Sequence, residues 1–403
     1  MKPLLLTCLL LWGLTWDHVC AQPYYFTHYQ VEDGLSNNAV LCSVQDRYGF
    51  MWFGTKDGLN RFDGYSFKVF HSNPNNPNGL GSNYVRALHV DRSHRIWVGT
   101  DQGIYLFDPT SETFSMFRPH ITNEVLDIQE DRHGDVWFIE NHMLYRYSTG
   151  RDSLERVTRR SDFLVSAFAI DSADRLWLGT TDGRLYPFDP VRGAGLPYSL
   201  FDHSPAVVSQ WIERIHSGGS DYLLIGTAKQ GIKRFDISTG SYTDLLTHDE
   251  GGSDLFVRDI LESAPGKYWL ATESGLVILD LPSGGHINLK KQRGNPWALS
   301  DNAVYTLCKD KENSIWAGTY FGGINHYAVS NTFFEKFFPL EDGHTISGNA
   351  IREICPDGRG NLWIGTEDEG LNRVELATGR ITNFQPDGTP NGLSHYNIHG
   401  LLV

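Results

Sequence analysis

Arg95-Ile96-Trp97-Val98-Gly99-Thr100 decides the fold, because copies of it recur along almost the whole chain. Trp-x-Gly-Thr starts at Trp52, Trp97, Trp177, Trp316 and Trp363, with weaker copies at Trp137, Leu224 and Trp269. Successive copies lie 45, 40, 40, 47, 45, 47 and 47 residues apart, which is the period of a propeller blade. Around Trp97 four short runs rich in β-branched and aromatic residues, Tyr84 to Val90, Arg95 to Thr100, Gly103 to Phe107 and Thr113 to Phe117, alternate with turn residues. That pattern reads as a four-stranded antiparallel meander, one blade per repeat.

Aligning the repeats on the Asp that opens the first turn (Asp46, Asp91, Asp131, Asp171, Asp310, Asp357) separates columns with different physics. Six residues before it stand Val40, Val85, Val125, Val165, Ile212, Val257, Val304 and Ile351, all β-branched aliphatics suited to a core-facing strand. Three residues after it stand Gly49, His94, Gly134, Asp174, Asp221, Gly266, Asn313 and Gly360, types that tolerate positive φ, so a left-handed turn residue is expected there. Trp52, Trp97, Trp137, Trp177, Trp269, Trp316 and Trp363 read as structural wedges between blades, and the Gly that follows as a site of close backbone approach. The Thr repeats too often to be a nucleophile and reads as a hydrogen-bonding scaffold residue. Two repeats depart from the pattern: Ile139-Glu140 replaces Gly-Thr in the third, and Leu224 replaces Trp in the fifth, behind Gly218-Gly219-Ser220.

The first residues carry Lys2 and an apolar run from Leu4 to Trp16, with Val19 and Ala21 placed for cleavage before Gln22; residues 1–21 read as a secretory signal peptide. Its removal leaves Cys42, Cys308 and Cys355, an odd set lying among apolar strand neighbours and expected to stay as free thiols. A formal charge of −14 counts against nonspecific contact with nucleic acid or anionic membranes. The 16 His are scattered without metal-ligand spacing, so no metal or cofactor is implied.

Gly34-Leu-Ser-Asn-Asn-Ala-Val40, the run Gln45 to Gly64 and Tyr65-Ser-Phe-Lys-Val-Phe70 closely resemble the opening blade of the two-component regulator propeller family, the periplasmic sensor of Bacteroidetes hybrid two-component systems. The resemblance runs from Phe26 to Val403 and is strongest in repeats 1, 2, 7 and 8. It implies two seven-bladed propellers, a β-sandwich, a transmembrane helix and cytoplasmic kinase, receiver and DNA-binding parts. The expected fold class is then all-β: a seven-bladed propeller of four-stranded blades over 22–340, followed by the truncated start of a second over 341–403. An eight-bladed ring is the alternative, with the ninth unit at Gly392 to Ile398 as its closing strand.

By the same resemblance the whole protein would be a histidine kinase of the inner membrane, homodimeric, with this exported part binding a glycan-derived oligosaccharide and signalling to the rest of its own chain. The fragment itself is not expected to be an enzyme. The alternatives are a free-standing propeller lyase or other glycan-active enzyme, which the scattered His disfavour, and a protein-interaction propeller. For a ligand site the informative column lies five residues before the Asp, where polar residues vary beside constant aliphatics. It supplies Arg86, Glu213, Arg258, Tyr305 and Arg352 as candidates, with Trp211, Tyr320 and Phe321 as rings able to stack on sugars. Arg forks in that set match carboxylate or sulfate groups.

Overall fold

The computed structural model describes residues 24–402 apart from 74, 77, 160–161, 202–208, 330–335 and 341–344; the signal peptide expected over 1–21 lies outside the described residues. The expected seven-bladed propeller is the fold observed. Seven antiparallel sheets form a ring, each built outward from an inner strand, as in Val85–Val90, Ile96–Thr100, Gly103–Asp108 and Thr113–Met116 of the second blade. An eighth sheet, made of Ile351–Pro356, Asn361–Thr366, Leu371–Glu375 and Ile381–Phe384, follows the ring with a small core of its own around Ile346, Ile364 and Val374.

The Gly column explains how blades join. A Cβ on Gly54 would lie 2.6 Å from Val85 of the next blade, on Gly99 2.9 Å from Val125, on Gly179 2.6 Å from Ile212 and on Gly226 2.9 Å from Val257. Each glycine therefore seats the β-branched residue of the following inner strand, and a methyl group there would overpack the joint. Where the column holds Ile139 or Ala271, the side chain joins the core that contains Val165 or Val304. Gly318 of the seventh blade lies 2.6 Å by the same measure from Val40 of the first, so the ring closes after seven.

Closure is completed by the N-terminal segment. Thr27–Tyr29 pairs with Ile324–Tyr327 and supplies the outer strand of blade seven. Tyr29 packs 4.8 Å from Phe62 and 6.0 Å from Trp316, fastening first and last blades together. The ninth unit does not close this ring: Ile398 sits on Gly365 of the eighth sheet as Val85 sits on Gly54, and its N–H donates to the Thr366 carbonyl at 2.9 Å.

Each repeat Asp organises its hairpin twice over. In blade two, Asp91 Oδ2 accepts from Trp97 Nε1 at 2.8 Å while Oδ1 accepts the Arg95 amide at 2.8 Å. The same Trp to Asp bond occurs at Trp52, Trp137, Trp177, Trp316 and Trp363. The indoles of the ring lie buried, and the bond satisfies a donor that burial would otherwise orphan. Thr55, Thr100, Thr272 and Thr319 are fully buried and donate to the carbonyls of Gly58, Gly103, Gly275 and Gly323 across the next turn. In blade five, Leu224 packs in one cluster with Tyr268, whose hydroxyl lies 2.8 Å from that of Tyr222.

The expected left-handed turn residues are found at Gly49, His94, Gly134, Asp174, Gly266, Asn313 and Gly360. Asp221 is the exception: in its turn Gly219 takes the positive φ, 88°. Cys42, Cys308 and Cys355 are unpaired and partly buried, and burial pushes the Cys308 thiol up to about 12.

Candidate functional site

Every inner strand of the ring carries a β-bulge at one place, between the β-branched residue and the second residue after it, for example Val85/Ala87, Ile212/Arg214 and Val257/Asp259. The residue skipped by the ladder is the variable one five before the Asp. A bulge leaves its extra residue unpaired and re-aims the side chain. All seven such residues, Leu41, Arg86, Leu126, Ser166, Glu213, Arg258 and Tyr305, line one central cavity of about 310 Å³.

The structure thus brings together Arg86, Glu213, Arg258 and Tyr305, and Trp211 lines the same cavity. Tyr320 packs against Tyr305 in a tilted pair with centroids 5.0 Å apart. Phe321 stands edge-on to Tyr320 at 4.6 Å with its ring exposed, and neither residue lines the cavity itself. Arg352 lies elsewhere, on the eighth sheet, where it meets Glu367 at 3.3 Å and His399 at 3.0 Å. It belongs to the bulge position of a sheet that does not join this ring.

Around the cavity mouth, cations and aromatic rings alternate over four contiguous blades. The Arg86 guanidinium lies 4.5 Å from the Tyr84 ring, Lys56 Nζ 6.0 Å from Tyr84 and 3.9 Å from Tyr320, and Arg258 4.1 Å from both Tyr305 and Phe256. Such stacking fixes where each cation points. Arg86 Nη2 meets Glu124 at 3.2 Å, whereas its Nε is buried without a partner. Arg258 Nε donates to Glu273 at 2.7 Å. Glu213 faces this pair; burial pushes its carboxyl up to about 7, Arg258 opposing and Glu273 adding to the shift.

Lys56, Tyr84, Glu124, Phe256 and Glu273 escaped the sequence reading. They come from two further columns, the residue before the β-branched one and the residue after the Thr, which the fold fastens together: the amides of Asp101 and Glu273 donate to the carbonyls of Tyr84 and Phe256. Below the mouth, Arg214 joins three blades, 3.3 Å from Asp127 and 3.0 Å from Asp259, and both carboxylates hold its guanidinium firmly charged. Asp259 also accepts the Leu307 amide at 2.9 Å, so this network ties the inner strands and leaves little of Arg214 for a ligand. In the third repeat the departure at Ile139-Glu140 puts Asn141 and His142 at positive φ and brings the His142 ring within 5.5 Å of Trp211, beside the mouth. Among the described residues no group of three or more His, Cys, Asp or Glu is arranged to hold a metal ion.

A family model described as two component regulator propeller matches residues 34–57, 79–102, 298–321 and 345–368. The chain carries two-component regulator propeller repeats. The four matches fall in repeats 1, 2, 7 and 8, those whose resemblance is strongest by sequence. The extracellular domain assigned to a hybrid two-component system of B. thetaiotaomicron superposes with a TM-score of 0.72 at 25% identity, over 89% of this chain and 49% of that one. A histidine kinase of Formosa agariphila is 45% identical over 51 residues, 13% of this chain and 4% of the kinase. The propeller-repeat chain therefore spans about half of that extracellular domain and a small part of the kinase. Virginiamycin B lyase from Staphylococcus aureus superposes with a TM-score of 0.59 at 14% identity over 76% of this chain and 100% of the lyase, a likeness of fold alone.

Proposed function

We propose that this chain is the extracytoplasmic sensor part of a hybrid two-component regulator and that the mouth of its central channel binds a glycan-derived oligosaccharide. The observation that carries the reading is the alternating arc of cations and rings, to which the bulge position contributes Arg86, Arg258 and Tyr305 and the two neighbouring columns contribute Lys56, Tyr84 and Phe256. The repeats and the likeness to an extracellular two-component domain support the sensor role. In this reading the site recognises and does not react, and the signal passes to a kinase elsewhere in a homodimeric inner-membrane protein, with this region in the periplasm. Residues 22–340 form the first propeller and 341–403 begin a second; the seating of Ile398 on Gly365 repeats the blade joint of the ring and supports that division. Among the described residues no helix is long and apolar enough to cross a membrane.

Calorimetric titration of the complete exported region against an oligosaccharide panel tests the reading. A binding isotherm without turnover is expected. Turnover of a saccharide would overturn the noncatalytic role, and a co-purifying protein partner with no saccharide bound would favour an interaction propeller instead.

A further inference from the structure

We propose that the channel mouth selects an acidic saccharide, whose carboxylate or sulfate lies between Arg86 and Arg258 while the rest of its ring enters the cavity. This rests on the oligosaccharide reading above and narrows it to a ligand class. Three observations carry it.

The first is the Arg86 side chain itself. Its guanidinium is held against Tyr84, touches Glu124 through Nη2 only, and keeps Nε buried without a partner beside the cavity. Arg86 lines the cavity, so an anionic oxygen there can take a charge-assisted bond from the part of the guanidinium that Glu124 leaves open.

The second is the local charge. Lys56, Arg86 and Arg258 gather at the mouth of a chain whose net charge is −14, with Glu124 and Glu273 beside the two arginines and Asp101, from the column of Lys56 and Glu273, bonded to Ser82 Oγ. One layer deeper the sign reverses, because Arg214 sits between Asp127 and Asp259. An anion is therefore drawn to the mouth and kept from going further. Glu213, which feels Arg258 and Glu273, adjusts this balance: protonated, it leaves Arg258 open to an anion, and ionised, it competes for that guanidinium.

The third is size. A cavity of about 310 Å³ is at the small end for ligand sites, so one sugar ring enters and its neighbours remain outside.

The test is calorimetric titration of the purified full chain with trigalacturonate, a sulfated galactan tetrasaccharide and the neutral galactotetraose, repeated with Arg86→Gln and Lys56→Gln and with a thermal melt of each variant to confirm folding. Either acidic probe is expected to bind where the neutral one does not, which of the two responds separating carboxylate from sulfate recognition. Arg86→Gln should weaken that binding by about tenfold or more and Lys56→Gln by less, and affinity should fall with added salt and on going from about pH 6 to about pH 8. Neutral and acidic probes binding alike, with Arg86→Gln unaffected, would overturn the acidic preference and leave the oligosaccharide reading standing. Folded protein that binds none of the three would overturn both.

Discussion

Asp171 holds its blade through both carboxylate oxygens: Oδ2 accepts from Trp177 Nε1 at 3.1 Å and Arg175 Nε at 2.6 Å, and Oδ1 accepts the amides of Ala173 and Arg175 at 2.9 Å. Asp171→Ala orphans a buried indole N–H together with the turn amides, and chemical denaturation should show a loss of about 3 kcal/mol. Asp189, on an exposed outer turn, should matter far less when changed to Ala. The repeat made Asp171 visible as an alignment mark but not as the indole's acceptor, since a hydrogen bond between positions six apart leaves no trace in composition. Glu213 has the opposite kind of environment. Its folded pKa of about 7 lies above the ordinary 4.5, so the native state binds more protons than the unfolded chain between those values. Stability should therefore fall as pH rises from about 4.5 to about 7, and Glu213→Gln should remove that slope, gaining a few degrees of melting temperature over the parent at about pH 8 relative to about pH 5.

Bulges and the closing strand show what individual elements add. The period of the Trp column located every inner strand, and variation at one column pointed to the residues that line the cavity, because the bulge recurs at that position in each blade. Neighbouring positions were missed for a physical reason: Lys56 and Phe256 sit at strand ends, where only the folded turn sets their side chains beside Tyr320 and Arg258. Thr27–Tyr29 was equally hidden, as three residues without repeat signature whose partner strand begins at Ile324. Tyr29→Ala removes a ring packed against Phe62 and Trp316 and should destabilise the propeller by about 3 kcal/mol, with unfolding detected first, by hydrogen exchange, at the outer edge of blade seven.

At the scale of the molecule, seven joints, five of them on glycine and two on Ile139 and Ala271, make a ring, and the eighth sheet repeats the glycine joint toward Ile398 instead of toward the ring. Gly318→Ala should strain the closing joint by about 1 to 3 kcal/mol, since its Cβ would meet both Val40 and Thr306. Gly365→Ala, in the eighth sheet, should leave the melting of the ring unchanged. The ring also decides which candidates share a site, because bulges of seven blades converge on one channel while Arg352, at the equivalent position of the eighth, faces Glu367 and His399. The most direct test is therefore to titrate a saccharide that binds the parent chain into Arg258→Gln and Arg352→Gln by calorimetry. The channel account predicts a loss of about tenfold or more in Arg258→Gln and no change in Arg352→Gln; loss in Arg352→Gln with Arg258→Gln unchanged would contradict it.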